Sequence, residues 1–196
     1  MSTPGNVLVG SVLMYHTDFV TGNDPVSDTQ VIDVDAWTAL GYKTKDTGLT
    51  VTCSEEWFDM HVEEHNAAID SKLIGEAIVA EFELAESDAL QFSAMLMGST
   101  YEAAETEGTN PNSIGIGDKA STTLQSFCFI GKGPDSTATQ GLVWYFPKMR
   151  SDGDRAITFH KGKDRSAKIR LVALCDPARD AGERLAKVFE VTTAGV

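Results

Sequence analysis

In this chain of 196 residues one stretch matches a metal-binding spacing: His61-Val62-Glu63-Glu64-His65. The pattern H-x-x-E-H is that of inverted zinc proteases, with two histidines on the metal and a glutamate as base. Zinc needs both imidazoles on one face, one helical turn apart, and a third ligand. In a strand, His61 and His65 point the same way but lie about 13 Å apart, at ~3.3 Å per residue, and cannot share an ion. The surrounding segment Ser54–Ile69 fits either period. As a helix it lines up Phe58, Val62 and Ile69, with Ser54 as cap. As a strand it alternates Phe58, Met60 and Val62 with Trp57, Asp59 and His61. The Thr-rich run Leu49–Cys53 enters it with no Gly or Pro break, which favours a strand. The histidines then read as solvated polar residues at a strand end.

Other chemistry-bearing residues lack partners at the spacing their chemistry needs. Gly115-Ile116-Gly117 is too short for a dinucleotide loop and follows no strand, and Gly131-Lys132-Gly133 lacks a P-loop frame. Asp33 and Asp35 form a carboxylate pair of the kind any acidic loop offers. No serine sits in a nucleophile elbow. His16 and His160 read as polar strand-end residues. Cys53, Cys128 and Cys175 are odd in number, follow no zinc spacing and sit in apolar runs, as buried free thiols of a reducing compartment do. No enzyme, catalytic residue, metal or cofactor is expected.

The elements around these residues are mostly strands. Gly75–Leu84 puts Ile78, Ala80, Phe82 and Leu84 on one face, with Glu81 and Glu83 on the other beside Val79. This is a strand with one face buried and an acidic face wet. A long β-type segment, Gly48 to about Glu64, precedes it. Further strands are Val7–His16, Thr122–Ile130, Gly141–Phe146 closed by Pro147, Ala156–His160, Lys168–Cys175 and Val188–Val191. Asp33–Leu40 is a short helix or a turn around Trp37, and Ala178–Lys187 a helical turn. Ser87 or Asp88 caps a helix over Ala89–Met97 that Gly98 ends. Ser99–Asp118 is a long irregular loop. The fold class is mainly β: a sandwich or partly closed barrel with one flanking helix, about 89–97. It forms a single domain over 1–196 with a loose terminus, 1–6.

The formal net charge is −13. It is uneven: residues 1–147 hold 5 Lys and Arg against 22 Asp and Glu, and residues 148–196 hold 11 against 7. Tight nucleic-acid binding needs clustered bases, which the acidic body lacks. The two regions can attract each other between copies. Val7–Tyr15 has no basic stretch before it, so no signal peptide is expected. No run approaches the ~20 apolar residues that span a bilayer, and synthesis in the cytoplasm is expected. The acidic strand face reads either as an ordinary wet face or as a surface that must not hold DNA, since each Lys or Arg contact would act as a brake.

The order of these pieces resembles the tail tube (major tail) proteins of long-tailed bacteriophages. The pieces are Val7-Leu-Val-Gly10, a Pro25-containing loop, Trp37-Thr-Ala-Leu-Gly41-Tyr42, Gly48-Leu-Thr-Val-Thr52 and Glu55–Glu63. Then come Leu73-Ile-Gly75-Glu76 with its strand, the helix Ala89–Met97, and Ile169–Leu174 before Asp176-Pro177-Ala178-Arg179. The resemblance spans nearly the whole chain and is one of pattern; the loop Ser99–Asp118 has no counterpart in it. It implies hexameric rings whose sheets join into an inner β-barrel. The rings stack into a hollow tube through which DNA passes without specific binding. It implies strand for Ser54–Val62 and a virion location. Partners are other copies of the chain, a tail initiator or baseplate, and a terminator, with no membrane.

On that reading Asp59, Glu81 and Glu83 are the candidates to face the lumen. Lys43, Lys45, Asp46, Glu102, Glu105 and Glu107 are candidates for ring-to-ring contacts, and Lys168 and Arg170 for contacts between subunits. Alternatives are another head–tail or tail-assembly part (a terminator, decoration or baseplate hub protein) or the tube of a contractile or secretion system. A zinc hydrolase resting on His61, Glu64 and His65 is the alternative from a different class.

Overall fold

The computed structural model describes residues 12–20, 24–26, 34, 37–40, 48–61, 68–84, 97, 99–102, 112–117, 124–132, 141–152, 157–158 and 166–191. They form eleven strands. In chain order these are β1 Val12–Asp18, β2 Thr38–Ala39, β3 Thr50–Met60, β4 Asp70–Leu84, β5 Thr100–Glu102, β6 Ser113–Gly115, β7 Gln125–Lys132, β8 Gly141–Ser151, β9 Ile157–Thr158, β10 Ser166–Ala173 and β11 Lys187–Val191. Nine of them make one antiparallel sheet in the order β2-β1-β7-β8-β10-β4-β3, with β11 on β8 and β9 on β10. The mainly β expectation is met. The sheet does not close into a barrel, because its end strands β2 and β3 are not paired with each other.

β8 is the strand on which the sheet turns. Its first half pairs with β7 and β11, and its residues 149–151 pair with β10. Between the halves Phe127 opposes Phe146 and Gln125 opposes Met149, so Pro147 and Lys148 together face the single residue Ser126. That is a β-bulge, which bends the strand and leaves room for a residue that cannot donate to the ladder. The Ser126 hydroxyl donates to the Pro147 carbonyl at 2.6 Å, and the Leu174 amide donates to the Lys148 carbonyl at 2.8 Å. Pro147 was expected to close the strand; the bulge instead carries β8 on to Ser151.

The bend brings the two ends of the sheet face to face. Phe82 of β4 and Phe129 of β7 stand three places apart in the strand order, yet their rings meet edge to face with centroids 5.8 Å apart. Around them Met14, Phe127, Phe146, Met149 and Leu171 are fully buried. Each such side chain contributes about 1.5–3 kcal/mol of transfer free energy. A second cluster lies on the opposite face of β7 and β8: Cys128, Ile130, Val143 and Tyr145, covered by Trp37. These two strands are therefore buried on both faces, which is why their sequence reads as continuous apolar runs.

Other expectations need correction. The flanking helix over 89–97 is not found among the described residues. Residues 85–96 lie outside them, and Met97 has a φ of 31°, a left-handed value no α-helical residue adopts. Met97 is instead a buried residue whose sulfur accepts the Ser151 amide at 3.0 Å. The loop 99–118 contains the short hairpin β5–β6. The segment expected to be a helical turn, 178–187, forms two successive turns closed by Arg179 N–H to Asp176 O and Glu183 N–H to Asp180 O, with Gly182 at φ 94°. Residues 1–6 lie outside the described part.

Candidate functional site

The candidate site is the hairpin of β3 and β4. The Ile69 amide donates to the Met60 carbonyl at 2.9 Å, and the pairing runs from Met60–Asp70 down to Thr50–Glu81. The expected strand end near Glu64 thus falls at Met60, and the second strand starts five residues before Gly75, at Asp70. At its root the hairpin belongs to the core. Ala80, Phe82 and Leu84 are buried, and β10 covers the β4 edge from Val79 to Leu84. Among the described residues, β4 beyond Gly75 toward the tip has β3 alone as neighbour, and β3 is the end of the sheet.

A register shift divides root from tip. Glu56 opposes Gly75 and Trp57 opposes Leu73, which leaves Ile74 without an opposite residue. Such a bulge sharpens the local twist and reverses which β4 residues share a face. Past it, Trp57 and Leu73 lie on one face, and Phe58 and Met60 on the other. Neither face is covered: Trp57 is 53% exposed, Phe58 55% and Ile74 56%, and Met60 and Ile69 are exposed as well. Five of the eight large exposed hydrophobics among the described residues sit on this one arm, so the exposure is concentrated rather than scattered. The Trp57 indole N–H donates to Glu55 at 3.0 Å, and the Ser71 hydroxyl to Asp59 at 2.5 Å. Edge strands are commonly blunted by Pro, by Lys or by a bulge. The sequence of β3, TVTCSEEWFDM, has neither Pro nor Lys, and the bulged residue is on β4.

The predicted site residues fall into three groups. At the root the structure joins some of them. Glu81 opposes Arg170 and Glu83 opposes Lys168 in the β4–β10 ladder. The Arg170 guanidinium reaches Glu81 at 3.1 Å and Asp152 at 2.6 Å. Two expected lumen acids and two expected subunit-contact bases therefore meet inside one chain. These exposed pairs contribute about 0.2–1 kcal/mol each, so they set register more than stability. An open cleft of about 350 Å³ lies over this ladder, lined by Thr50, Glu81, Lys168 and Arg170.

Apart from them stand Asp59, exposed near the tip, and Glu102, exposed on β5 and accepting from Ser113. Lys43, Lys45, Asp46, Glu105 and Glu107 lie outside the described residues. Of the zinc pattern only His61 is described. It is exposed and follows the last residue of β3, while Glu64 and His65 lie outside. Among the described residues no group of three His, Cys, Asp or Glu side chains is placed to hold a metal ion.

Reasoning from sequence missed the tip. The signal was the adjacent pair Trp57-Phe58: neighbours on a strand point to opposite faces, so both can be buried only if both faces are covered. It missed two further features. A cleft of about 520 Å³ between the arm and the C-terminal turns is lined by Cys53, Ile78, Cys175, Arg184 and Leu185. Two of the three thiols are thus exposed, and only Cys128 is buried, its pKa pushed up to about 12 by that burial. Arg179, 8% exposed, pairs with Asp24 at 2.6 Å and stacks 4.9 Å over the Tyr145 ring, beside Asp176 at 3.6 Å. This clamp fixes the C-terminal turns on the body. No protein-family model matches the chain, and no curated protein sequence is significantly similar to it.

Proposed function

We propose that the protein is a structural subunit of a bacteriophage tail, whose copies close into hexameric rings that stack as the hollow tube passing DNA. The observation that carries the reading is the β3–β4 arm. It is a hairpin with strands of 11 and 15 residues, its outer edge unpaired among the described residues and its tip apolar on both faces. An edge that long and that weakly guarded is a template for another strand. In a chain made to assemble, the open edge and bare tip are the contact surface. The resemblance in the order of pieces supports the particular assembly, a ring and tube with a tail initiator and a terminator as end partners.

The acidic balance of residues 1–147, 22 acids against 5 bases, suits a wall that DNA must slide past. Negative-stain electron microscopy of the purified chain, before and after concentration with salt, tests the reading. Rings or tubes with a central channel are the expected result. Compact single particles at every concentration, even with a tail initiator complex added, would overturn it.

A further inference from the structure

The buried face of β4 runs out into a cleft. Ala80, Phe82 and Leu84 are covered by the core. Ile78 and Glu76 follow on the same face and line the cleft of about 520 Å³ between the arm and the C-terminal turns. The cleft begins where β10 leaves the arm. Val172 is the last β10 residue paired with β4, opposite Val79, and the Leu174 amide turns away to the Lys148 carbonyl of β8. On the arm's wall Cys53 opposes Ile78, and Glu55 opposes Glu76. Two carboxylates directly across a ladder repel each other, and a cation between them removes the penalty. Glu55 accepts the Trp57 indole N–H at 3.0 Å, but neither acid has an ion pair among the described residues. The cation stands on the other side of the cleft. Arg184 lines the facing wall with Leu185, donates from Nε to the Arg179 carbonyl at 3.1 Å, and likewise has no ion pair among the described residues.

We propose that the arm closes on the C-terminal turns of its own chain, with Arg184 bridging Glu55 and Glu76, so that the chain has an open and a closed arm. Among the described residues β4 before Val79 pairs with β3 alone, so a bend at that level breaks no ladder to the body. Closing cancels the repulsion of the two acids and brings the half-buried Ile78 against Leu185. The contact is made by exposed charges, so salt opposes it: low ionic strength favours the closed arm and high salt frees it. The inference concerns a single chain and does not depend on the tube reading.

The chain carries its own probes of the cleft. Cys53 lies on the arm's wall and Cys175 just beyond β10, both exposed, while Cys128 is buried. The full chain, dilute enough to be monomeric, is treated with a short bismaleimide. Mass spectrometry then separates chains bridged from Cys53 to Cys175 from chains carrying one reagent on each thiol. The bridged fraction is expected to fall at least about threefold from about 0.01 M to about 1 M salt, as the screening length shrinks from about 30 Å to about 3 Å. Arg184→Gln should hold the low value at every salt concentration. Glu55→Gln with Glu76→Gln should do the same from the arm's side, which keeps the test open if the Arg184 variant misfolds. Glu76→Arg added to Arg184→Glu should restore the salt-sensitive bridge. A bridged fraction in the unaltered chain that is absent, ignores salt or rises with it overturns the inference. So does one that both sets of Gln substitutions leave unchanged.

Discussion

Two hairpins of this molecule are built alike and treated in opposite ways. β7–β8 and β3–β4 are both long antiparallel pairs rich in large apolar side chains, and each is interrupted by a bulge. In β7–β8 the chain covers both faces. Phe127, Phe129 and Phe146 are buried on one side, and Cys128, Val143 and Tyr145 on the other. In the distal half of β3–β4 it covers neither. Apolar content alone therefore does not separate a core strand from an arm; what separates them is whether the chain supplies a second layer. The first pair holds the monomer together, and the second leaves apolar surface exposed, which the proposed assembly would cover.

The sharpest way to break this comparison is to truncate one aromatic in each hairpin. Phe129→Ala opens a cavity at the centre of an aromatic cluster and is expected to cost about 3–5 kcal/mol in urea denaturation. Phe58→Ala removes a side chain 55% exposed and is expected to shift monomer stability by at most about 0.5 kcal/mol, while it suppresses polymer in sedimentation. A Phe58 variant that unfolds the monomer would place the arm in the core and remove the contrast.

That contrast shows what could be read from the sequence. Strands β7, β8 and β10 were legible because a strand in a core writes its burial into period two or into an unbroken apolar run. The buried face of β4, with Ala80, Phe82 and Leu84, was legible for the same reason. The start of β4 was not, because the bulge at Ile74 breaks the period and hides Asp70–Ile74 from a search for alternation. Pro147 misled because a Pro ends a strand unless a bulge accommodates it, and the bulge depends on Ser126, 21 residues away. The acids and bases of the candidate site were visible as types, but their meeting was not. Glu81 and Arg170 are 89 positions apart, and only the β4–β10 register brings them together.

A second test acts where the body holds its own C-terminal turns. Arg179→Met keeps an apolar side chain but removes the guanidinium from over the Tyr145 ring and leaves Asp176 and Asp24 without their cation. Breaking a buried pair on one side costs about 3–5 kcal/mol, and the lower end is expected because Asp24 is 35% exposed. Hydrogen exchange should rise at residues 176–186 before it rises in β7. Uniform exchange across the molecule would show the clamp to be part of the core rather than a strap upon it.

The body also holds a buried titratable group, His16. His16 lies on β1 beside Phe127, 8% exposed, and burial holds its pKa down at about 4 against the ordinary 6.5, with Asp18 pulling weakly the other way. Above pH 6.5 the imidazole is neutral folded and unfolded, and it contributes nothing to pH dependence. Below that value the unfolded chain takes up a proton that the folded chain refuses until about pH 4. Stability is therefore lost as pH falls across this window, by about 3 kcal/mol in all. His16→Phe should lose that slope, so the difference between the two chains, followed by denaturation from pH 7 to 4, isolates the group. Parallel profiles would mean that the buried imidazole finds a partner for its proton.

The smallest expected effect lies at the root of the arm, where charge takes over from packing. Arg170 bridges Glu81 and Asp152 on an exposed face. A double-mutant cycle with Arg170→Met and Glu81→Gln should give a coupling of about 0.2–1 kcal/mol in the monomer, which fades as salt screens it. An exposed pair this weak cannot anchor a 15-residue strand, and Phe82 and Leu84 beneath it do that. Its effect is on direction: it neutralises the root of an acidic arm and leaves the excess charge at the tip. A coupling above about 2 kcal/mol would make the ladder a structural lock. The arm would then be held by charge along its root, and the division between a packed body and an exposed arm would have to be redrawn at Gly75.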